Sequence, residues 1–149
     1  MIFSGEYEHR IDSQGRIAIP VRFRAAFADG VVLARGYDAC ITAYPTSEWD
    51  RLSESLNSLQ GTSADARRLF RVTFGGAYPT ELDRQGRVLV PAGLRQYAGI
   101  SEAVVTVGTG RYLEVWGAER WASEREALDE QAAEIAERTS RPAGGGQAN

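Results

Sequence analysis

Two short segments of this chain carry the same polar residues around a glycine. Residues 12–16 read Asp-Ser-Gln-Gly-Arg, and residues 83–87 read Asp-Arg-Gln-Gly-Arg. An aspartate three residues before a glycine is typical of a type I turn, and its carboxylate can accept backbone N–H bonds within that turn. The arginine that follows has a planar fork of donors, which suits phosphate oxygens or the edge of a guanine. The pattern predicts two turns that each present an arginine able to contact nucleic acid.

The same residues also have a purely structural interpretation. In both interpretations the turn-shaping residues are Asp12, Gly15, Asp83 and Gly86. In the structural one, Arg16 and Arg87 only form ion pairs with the aspartates. A turn needs aspartate and glycine, but it does not need the same arginine at the same place in two copies. We therefore favour nucleic-acid contact for Arg16 and Arg87.

Both turns lie inside a longer internal repeat. Residues 7–27 match residues 78–98 at an offset of 71, with seven of 21 positions identical. Residues 31–49 match residues 103–121 at an offset of 72, with the glycine and the aromatic positions in register. Two matching blocks at nearly the same offset indicate a duplicated unit. Neither half, at about 45 residues, could bury an adequate core alone, so the halves are expected to share one.

The alternation of apolar residues and the positions of glycine and proline predict the strands and helices. Strands are predicted over 6–11, 16–19, 31–35, 39–44, 103–107 and 111–116, with 6–11 and 16–19 forming a hairpin around the first turn. Short helices are predicted to begin at Pro20 and Pro91, and longer ones to cover 47–59, 64–74 and 118–138. The Gly-rich tail, residues 141–149, is predicted to be disordered.

Composition and charge narrow the function classes. The chain has 149 residues, 17 arginines, no lysine and a net charge of −3. Residues 117–149 hold four arginines and seven acids, so residues 1–116 are neutral and can still present an arginine-rich face. One cysteine (Cys40) and one histidine (His9) exclude an internal disulfide and a Cys/His zinc site. We therefore predict a cytoplasmic protein that needs no metal and no cofactor; His9 is expected at an exposed strand position and Cys40 in apolar packing.

The doubled motif also carries a family resemblance. The segments MIFSGEYEHRIDSQGRIAIP and ELDRQGRVLVP, with the Phe-Arg and Leu-Arg pairs at 23–24 and 94–95, resemble the MraZ family of bacterial transcription regulators, whose domains are SpoVT-AbrB-like. The resemblance covers residues 1 to about 138. It implies an α+β fold in which two tandem AbrB-like swapped-hairpin repeats form one pseudo-twofold β-barrel unit with flanking helices. The implied domains are repeat 1 (5–50), a helical connector (51–75), repeat 2 (76–121) and a C-terminal helix and tail (122–149).

The resemblance also implies a binding site and partners. The family's Asp-x-x-x-Arg motif for DNA contact falls on Asp12–Arg16 and Asp83–Arg87. The lysine that is common before the glycine is replaced by glutamine in both copies, which removes one cation from each turn. The expected DNA-contacting residues are Arg16, Arg87, Gln14, Gln85, Arg84, Arg10 and Arg22, whereas Arg24 and Arg95 are expected in structural ion pairs. The implied partners are direct repeats of double-stranded promoter DNA and identical subunits in a ring, with no membrane and no small-molecule substrate, at a nucleoid-associated location.

Two other functions remain to be weighed. AbrB-like domains also serve as antitoxins that act on a protein partner, usually as a single copy with an extended acidic tail. The alternative function is therefore an antitoxin or interaction protein. An aspartic-protease dyad is disfavoured, because an arginine beside each aspartate lowers a carboxyl pKa that such a dyad needs raised. We therefore expect no enzyme. The resemblance implies a regulator that represses its own division and cell-wall gene cluster.

Overall fold

A computed structural model describes residues 1–140 of the chain. The strands are β1 (Glu6–Arg10), β2 (Arg16–Ala18), β3 (Val31–Arg35), β4 (Ile41–Pro45), β5 (Tyr78–Thr80), β6 (Arg87–Leu89), β7 (Ala103–Gly108) and β8 (Leu113–Gly117). The helices are α1 (Thr46–Asn57), α2 (Ala64–Gly75), α3 (Ala92–Ala98) and α4 (Ala118–Ser140), and a 3₁₀ helix covers Val21–Phe27. The fold is therefore α+β, as predicted. The tail predicted to be disordered lies outside the described residues.

The strands form one large sheet and one small one, and every pairing in both is antiparallel. The large sheet has the order β1-β7-β8-β4-β3-β5, and the small sheet pairs β2 with β6. The first strand of repeat 1, β1, pairs with β7 of repeat 2. The first strand of repeat 2, β5, pairs with β3 of repeat 1. The two repeats thus exchange strands, which explains why they share a core.

The predicted hairpin between residues 6–11 and 16–19 is wrong, because these two strands do not pair with each other. Only the turn is closed locally, by a 2.9 Å bond from the Asp12 N–H to the Arg16 carbonyl. Beyond it β1 joins β7 over five residues, and β2 joins β6 with Ile17 opposite Val88. Both of these apolar side chains are completely buried. Burial between the two copies of the repeat therefore decides the pairing, and this contact has no local signal.

The core lies where the two repeats meet. Its largest fully buried side chains are Phe23, Phe27, Ile17, Ile19, Leu33, Ile41, Leu113, Val31, Val88, Val90, Val104 and Val115. Phe3, near the N-terminus, packs edge-on against Phe23 and stacks on Phe27, with ring centroids 5.0 and 5.4 Å apart. Cys40 is buried, as predicted.

The two short helices begin after the prolines, as the sequence predicts. Pro20 and Pro91 are the N-caps, and Gly99 ends α3 with φ at +66°, a left-handed conformation that glycine adopts without strain. The first of the two helices is 3₁₀ rather than α. In both repeats a proline thus separates the strand of the small β2–β6 sheet from the short helix that follows it.

Residues from 119 onward form a second compact unit, of which the body of α4 is described. Within it, Arg125 pairs with Asp129 and Arg138 with Glu134, each one helical turn apart. These side chains are well exposed, and exposed pairs of this kind add only about 0.3–0.5 kcal/mol each. No helix of residues 1–140 has the length and apolar character needed to cross a membrane.

The exposed position predicted for His9 is wrong. His9 is half-buried on β1, its Nε2 lies 2.7 Å from Thr106 Oγ1, and its Nδ1 is buried without a partner among the described residues. Burial lowers the pKa of His9 below its ordinary value of 6.5. Near neutral pH the folded chain therefore holds His9 as the neutral imidazole.

This lowered pKa predicts a loss of stability in mild acid. Between pH 6.5 and the lower folded-state pKa, the unfolded chain binds a proton at His9 that the folded chain does not bind, so the free energy of unfolding falls as pH falls. Urea unfolding of the wild type and of His9→Asn across pH 5–8 tests this. We expect the wild type to lose more stability than the variant below pH 6.5; parallel curves would contradict the assignment.

Candidate nucleic-acid interface

Each repeated turn is held by its aspartate. Asp12 Oδ1 accepts bonds from the backbone N–H groups of Gln14 and Arg16, both at 2.9 Å. Its Oδ2 accepts from Arg16 Nε, also at 2.9 Å. Gly15 closes the turn with φ at +82°, and its N–H donates to the Asp12 carbonyl at 3.0 Å. The left-handed φ explains the glycine, and the two backbone bonds explain the aspartate.

The second turn repeats this geometry closely. Asp83 Oδ1 accepts from the N–H groups of Gln85 and Arg87 at 2.9 Å, and Oδ2 accepts from Arg87 Nε at 3.0 Å. Gly86 has φ at +75°. In both copies, then, the aspartate accepts the backbone bonds of the turn and the glycine has a left-handed φ.

The two turns lie side by side. Arg87 Nη1 is 3.6 Å from Asp12 Oδ2, and Arg16 Nη1 is 4.0 Å from Asp83 Oδ2. The two arginines and two aspartates thus form one four-residue charge cluster across the repeat boundary. The four side chains are 29–34% exposed, so one edge of the cluster reaches solvent. The ion pairs of the structural interpretation are present, and nucleic-acid contact by the arginines stays a prediction.

Arg24 and Arg95 brace these turns, and the predicted ion pairs for them are wrong. Arg24 Nε donates to the Ile19 carbonyl at 2.9 Å, and Arg95 Nε donates to the Val90 carbonyl at 3.1 Å. Each side chain also lies over the other repeat's turn. A Cβ added at Gly86 would lie 2.1 Å from Arg24 Nε, and one at Gly15 would lie 3.3 Å from Arg95 Cζ. The partner is in each case the backbone carbonyl of the residue that precedes the N-cap proline. The sequence shows only that both arginines recur at the repeat offset.

Backbone bonds connect the turns to the opposite repeat as well. The Ile19 N–H donates to the Gly86 carbonyl at 2.9 Å, and the Val90 N–H donates to the Gly15 carbonyl at 2.8 Å. Each turn therefore accepts a backbone bond from the residue that follows β2 or β6 in the other repeat. This support fixes the spacing between the two arginine forks, which a flexible loop could not do.

The structure places the other predicted contact residues in different settings. Gln14, Arg84 and Gln85 are exposed on the two turns. Arg10, at the end of β1, forms an exposed ion pair with Glu102. Arg22, on the 3₁₀ helix, lies over the Phe23 ring at 5.2 Å and donates to the Tyr7 hydroxyl at 3.4 Å. Only Arg16 and Arg87 belong to the central charge cluster, together with their aspartates.

The carboxylates of the cluster titrate below their ordinary value of 3.8. The backbone N–H of Arg16 is the largest cause that lowers the pKa of Asp12, and the N–H of Arg87 does the same for Asp83. A lowered folded-state pKa means stabilisation that is present above the unfolded value and is lost as pH falls through the folded value.

We therefore expect Asp12→Asn/Asp83→Asn to be less stable than the wild type near neutral pH, because each turn loses its charged acceptor. The difference should shrink as pH falls below about 3.8, where the wild-type carboxylates become protonated as well. Urea midpoints at several pH values between 2.5 and 7 measure it. A difference that stays constant down to pH 2.5 would show that the charge of these groups is unimportant for the turns.

Comparison with known proteins identifies the family to which this chain belongs. A family model described as "MraZ protein, putative antitoxin-like" matches the chain twice in tandem, over residues 2–72 and 73–141. The chain belongs to the MraZ family. The two matches follow the internal repeat, with one charged turn in each.

Relatives with curated names resemble the chain along most of its length. Proteins of Roseiflexus castenholzii, Herpetosiphon aurantiacus and Thermomicrobium roseum are 42%, 43% and 44% identical to it. The alignments cover 92–93% of this chain and 96–97% of those relatives. Each of the three is named transcriptional regulator MraZ. Membership of this family favours a transcription regulator, a role that is not enzymatic.

Proposed function

We propose that this chain regulates transcription by binding promoter DNA in a sequence-specific manner through the paired turns. The observation that carries the proposal is the charge cluster, in which two arginine forks are fixed side by side by aspartates and by the opposite repeat. A fork held in one geometry loses little conformational freedom when it binds a guanine edge or a phosphate. The exposed Gln14 and Gln85 beside it can bond adenine or phosphate.

The proposal extends to fold detail, assembly and target. The exchanged strands and the β2–β6 pair support a swapped-hairpin barrel of the AbrB-like type, with the domain limits given above. One cluster presents only two arginines, so its DNA binding is weak and salt-sensitive. Several clusters in a homo-oligomeric ring would gain avidity on direct repeats of DNA, because linked sites raise the effective concentration. The proposed target is the protein's own promoter, at a nucleoid-associated location in the cytoplasm, and the proposed effect is repression.

Titration with the DNA upstream of the protein's own gene tests the function. We expect the wild type to bind this DNA more tightly than a shuffled duplex of the same composition, and the affinity to fall as salt is raised. Light scattering on the same sample measures the assembly. Equal affinity for both duplexes would contradict sequence-specific regulation. No DNA binding, together with tight binding of a protein partner, would favour the antitoxin-like alternative that the family description contains.

A further inference from the structure

A second candidate site lies at the β3–β4 hairpin, where helices α1 and α2 cover it. It is a cavity of about 80 Å³, several times the roughly 10–15 Å³ that one water needs. Aromatic rings form much of its wall, contributed by Tyr37, Tyr44, Trp49 and Tyr112. The ring centroids of Tyr44 and Tyr112 are 4.8 Å apart, and those of Tyr44 and Trp49 are 5.5 Å apart. Aromatic rings attract cations at their π faces.

A half-buried carboxylate completes the wall. Glu114 lines the cavity from β8, and its Oε1 accepts a 3.0 Å bond from the indole N–H of Trp116. Within residues 1–140, no arginine lies within ion-pair distance of Glu114. A carboxylate taken partly out of water is normally matched by a cation, because desolvation disfavours its charge. The bond to a neutral indole does not supply one.

The charges around the cavity favour a positive occupant. Asp38 adds a second carboxylate to the lining. Arg35 is the one arginine among the cavity-lining residues, and its guanidinium lies 5.0 Å from the centre of the Tyr97 ring. Burial and the Glu114 charge both raise the pKa of Tyr112, and burial raises the pKa of Tyr44, so these two hydroxyls stay neutral at physiological pH. The lining thus has two carboxylates, neutral aromatic rings and one cation that is stacked on a ring.

We propose that this cavity binds a guanidinium group, stacked on the tyrosine rings and bonded to Glu114. Guanidinium is planar, more weakly hydrated than ammonium, and able to give a carboxylate two parallel N–H bonds. Its four non-hydrogen atoms suit the small volume. The group can come from a free small molecule or from an arginine of a second copy, since every basic side chain except His9 in this sequence is arginine. The proposal is independent of DNA binding by the charge cluster.

Calorimetric titration of the full chain with methylguanidinium and with methylurea tests the site. The two probes have the same planar shape, but only the first is charged. We expect saturable binding of methylguanidinium and none of methylurea at equal concentrations. No saturable methylguanidinium binding, or equal binding of the two probes, would overturn the proposal. This comparison uses the wild type, so it holds whatever the variants below do to folding.

Variants then assign the contacts. Glu114→Gln keeps the shape and the acceptor for Trp116. It should weaken methylguanidinium binding at least about tenfold, because the hydrogen bonds to the guanidinium group lose their negatively charged partner. Glu54→Gln is the matched control: it removes the same charge from an exposed site of α1 outside the cavity lining. It should bind like the wild type. A Glu114→Gln protein that is folded and binds equally well would also overturn the proposal.

The mass of the assembly shows whether the guanidinium group comes from a free molecule or from an arginine of a second copy. If an arginine of a second copy occupies the cavity, excess methylguanidinium should lower the mass seen by light scattering, and Glu114→Gln should lower it as well. If a free molecule is the ligand, the mass stays unchanged while calorimetry still shows binding. Either result supports the site and names its occupant.

Discussion

Replacing Arg16 and Arg87 together by alanine is expected to weaken promoter binding at least about 30-fold. A well-placed bidentate arginine contributes about 1–3 kcal/mol of discrimination between bases. Loss of two such contacts costs about 2 kcal/mol or more, and each 1.4 kcal/mol is tenfold in affinity. The dependence of affinity on salt should also become shallower, since two cations no longer displace counterions. Fluorescence anisotropy with promoter DNA at two salt concentrations measures both effects.

The alanine variants also break the ion pairs with Asp12 and Asp83, so structural and binding effects must be separated. Arg51→Ala/Arg138→Ala is a control with the same change in net charge; both of its arginines are well exposed on helices, where each pairs with a glutamate. It should bind DNA nearly as the wild type does. Unfolding midpoints and assembly mass are compared for all proteins. A charge-cluster variant with normal stability, normal mass and normal affinity would move the site elsewhere, first to the basic run Arg67–Arg71 on α2.

A lysine pair distinguishes charge from geometry. Arg16→Lys/Arg87→Lys keeps both positive charges but loses the planar fork. We expect this protein to retain binding to shuffled DNA and to lose most of its preference for the promoter. An unchanged preference would mean that the cluster contributes only charge, and that bases are read by other residues such as Gln14 and Gln85.

Local chemistry explains what could be predicted of the site. The bonds that shape each turn link residues two to four positions apart, such as Asp12 with Gln14 and Arg16, so sequence spacing contains them. The support beneath the turns is different. It comes from Arg24, Ile19 and their counterparts, which reach the turn of the other repeat. These contacts join residues 62 to 80 positions apart. They depend on which strands pair, and the spacing of residues in the sequence does not encode that pairing.

The same distinction holds for the fold. Strands β3, β4, β7 and β8 pair with their sequence neighbours, and the predictions for them agree with the structure. Strands β1 and β2 have a turn between them but pair with the other repeat. His9 was misplaced for this reason, because its burial depends on Thr106 of β7, 97 positions away. Alternation of apolar residues identifies a strand, but it does not identify the strand's partner.

The packing of the N-terminal segment against Gly108 predicts a large loss of folding stability when this glycine is replaced. A Gly108→Ala substitution is expected to destabilise the fold by about 3 kcal/mol. The added Cβ would lie 2.2 Å from the Ser4 nitrogen and 2.5 Å from the Phe3 carbonyl carbon, which are backbone atoms. Backbone here cannot shift alone, since Phe3 and Gly110 exchange two hydrogen bonds of 2.8 and 2.9 Å. The segment must lift away, and Phe3, only 2% exposed, would lose its burial. Loss of a buried phenylalanine side chain costs about 3–5 kcal/mol.

A double-mutant cycle tests this mechanism through urea unfolding. If Gly108→Ala acts by displacing Phe3, then adding Phe3→Ala should cost little more, and the two effects should be far from additive. Gly93→Ala is the matched control: it lies in α3, a Cβ there has no atom within 4 Å, and the change should be neutral or stabilising by up to about 1 kcal/mol. Additive costs, or a Gly108→Ala protein as stable as the wild type, would contradict the clash.

This destabilisation should also reach the candidate interface. Phe3 packs on Phe23, which precedes Arg24 on the 3₁₀ helix, and Arg24 lies over the turn at Gly86. When Phe3 leaves its site, that helix loses an apolar contact at Phe23, the residue next to Arg24. Under conditions where Gly108→Ala is still mostly folded, we expect weaker promoter binding than for Gly93→Ala, through the second turn more than the first. In the Gly108→Ala protein, the displaced segment has already loosened the turn that holds Arg87. Adding Arg87→Ala to it should therefore reduce the DNA affinity less than adding Arg16→Ala does.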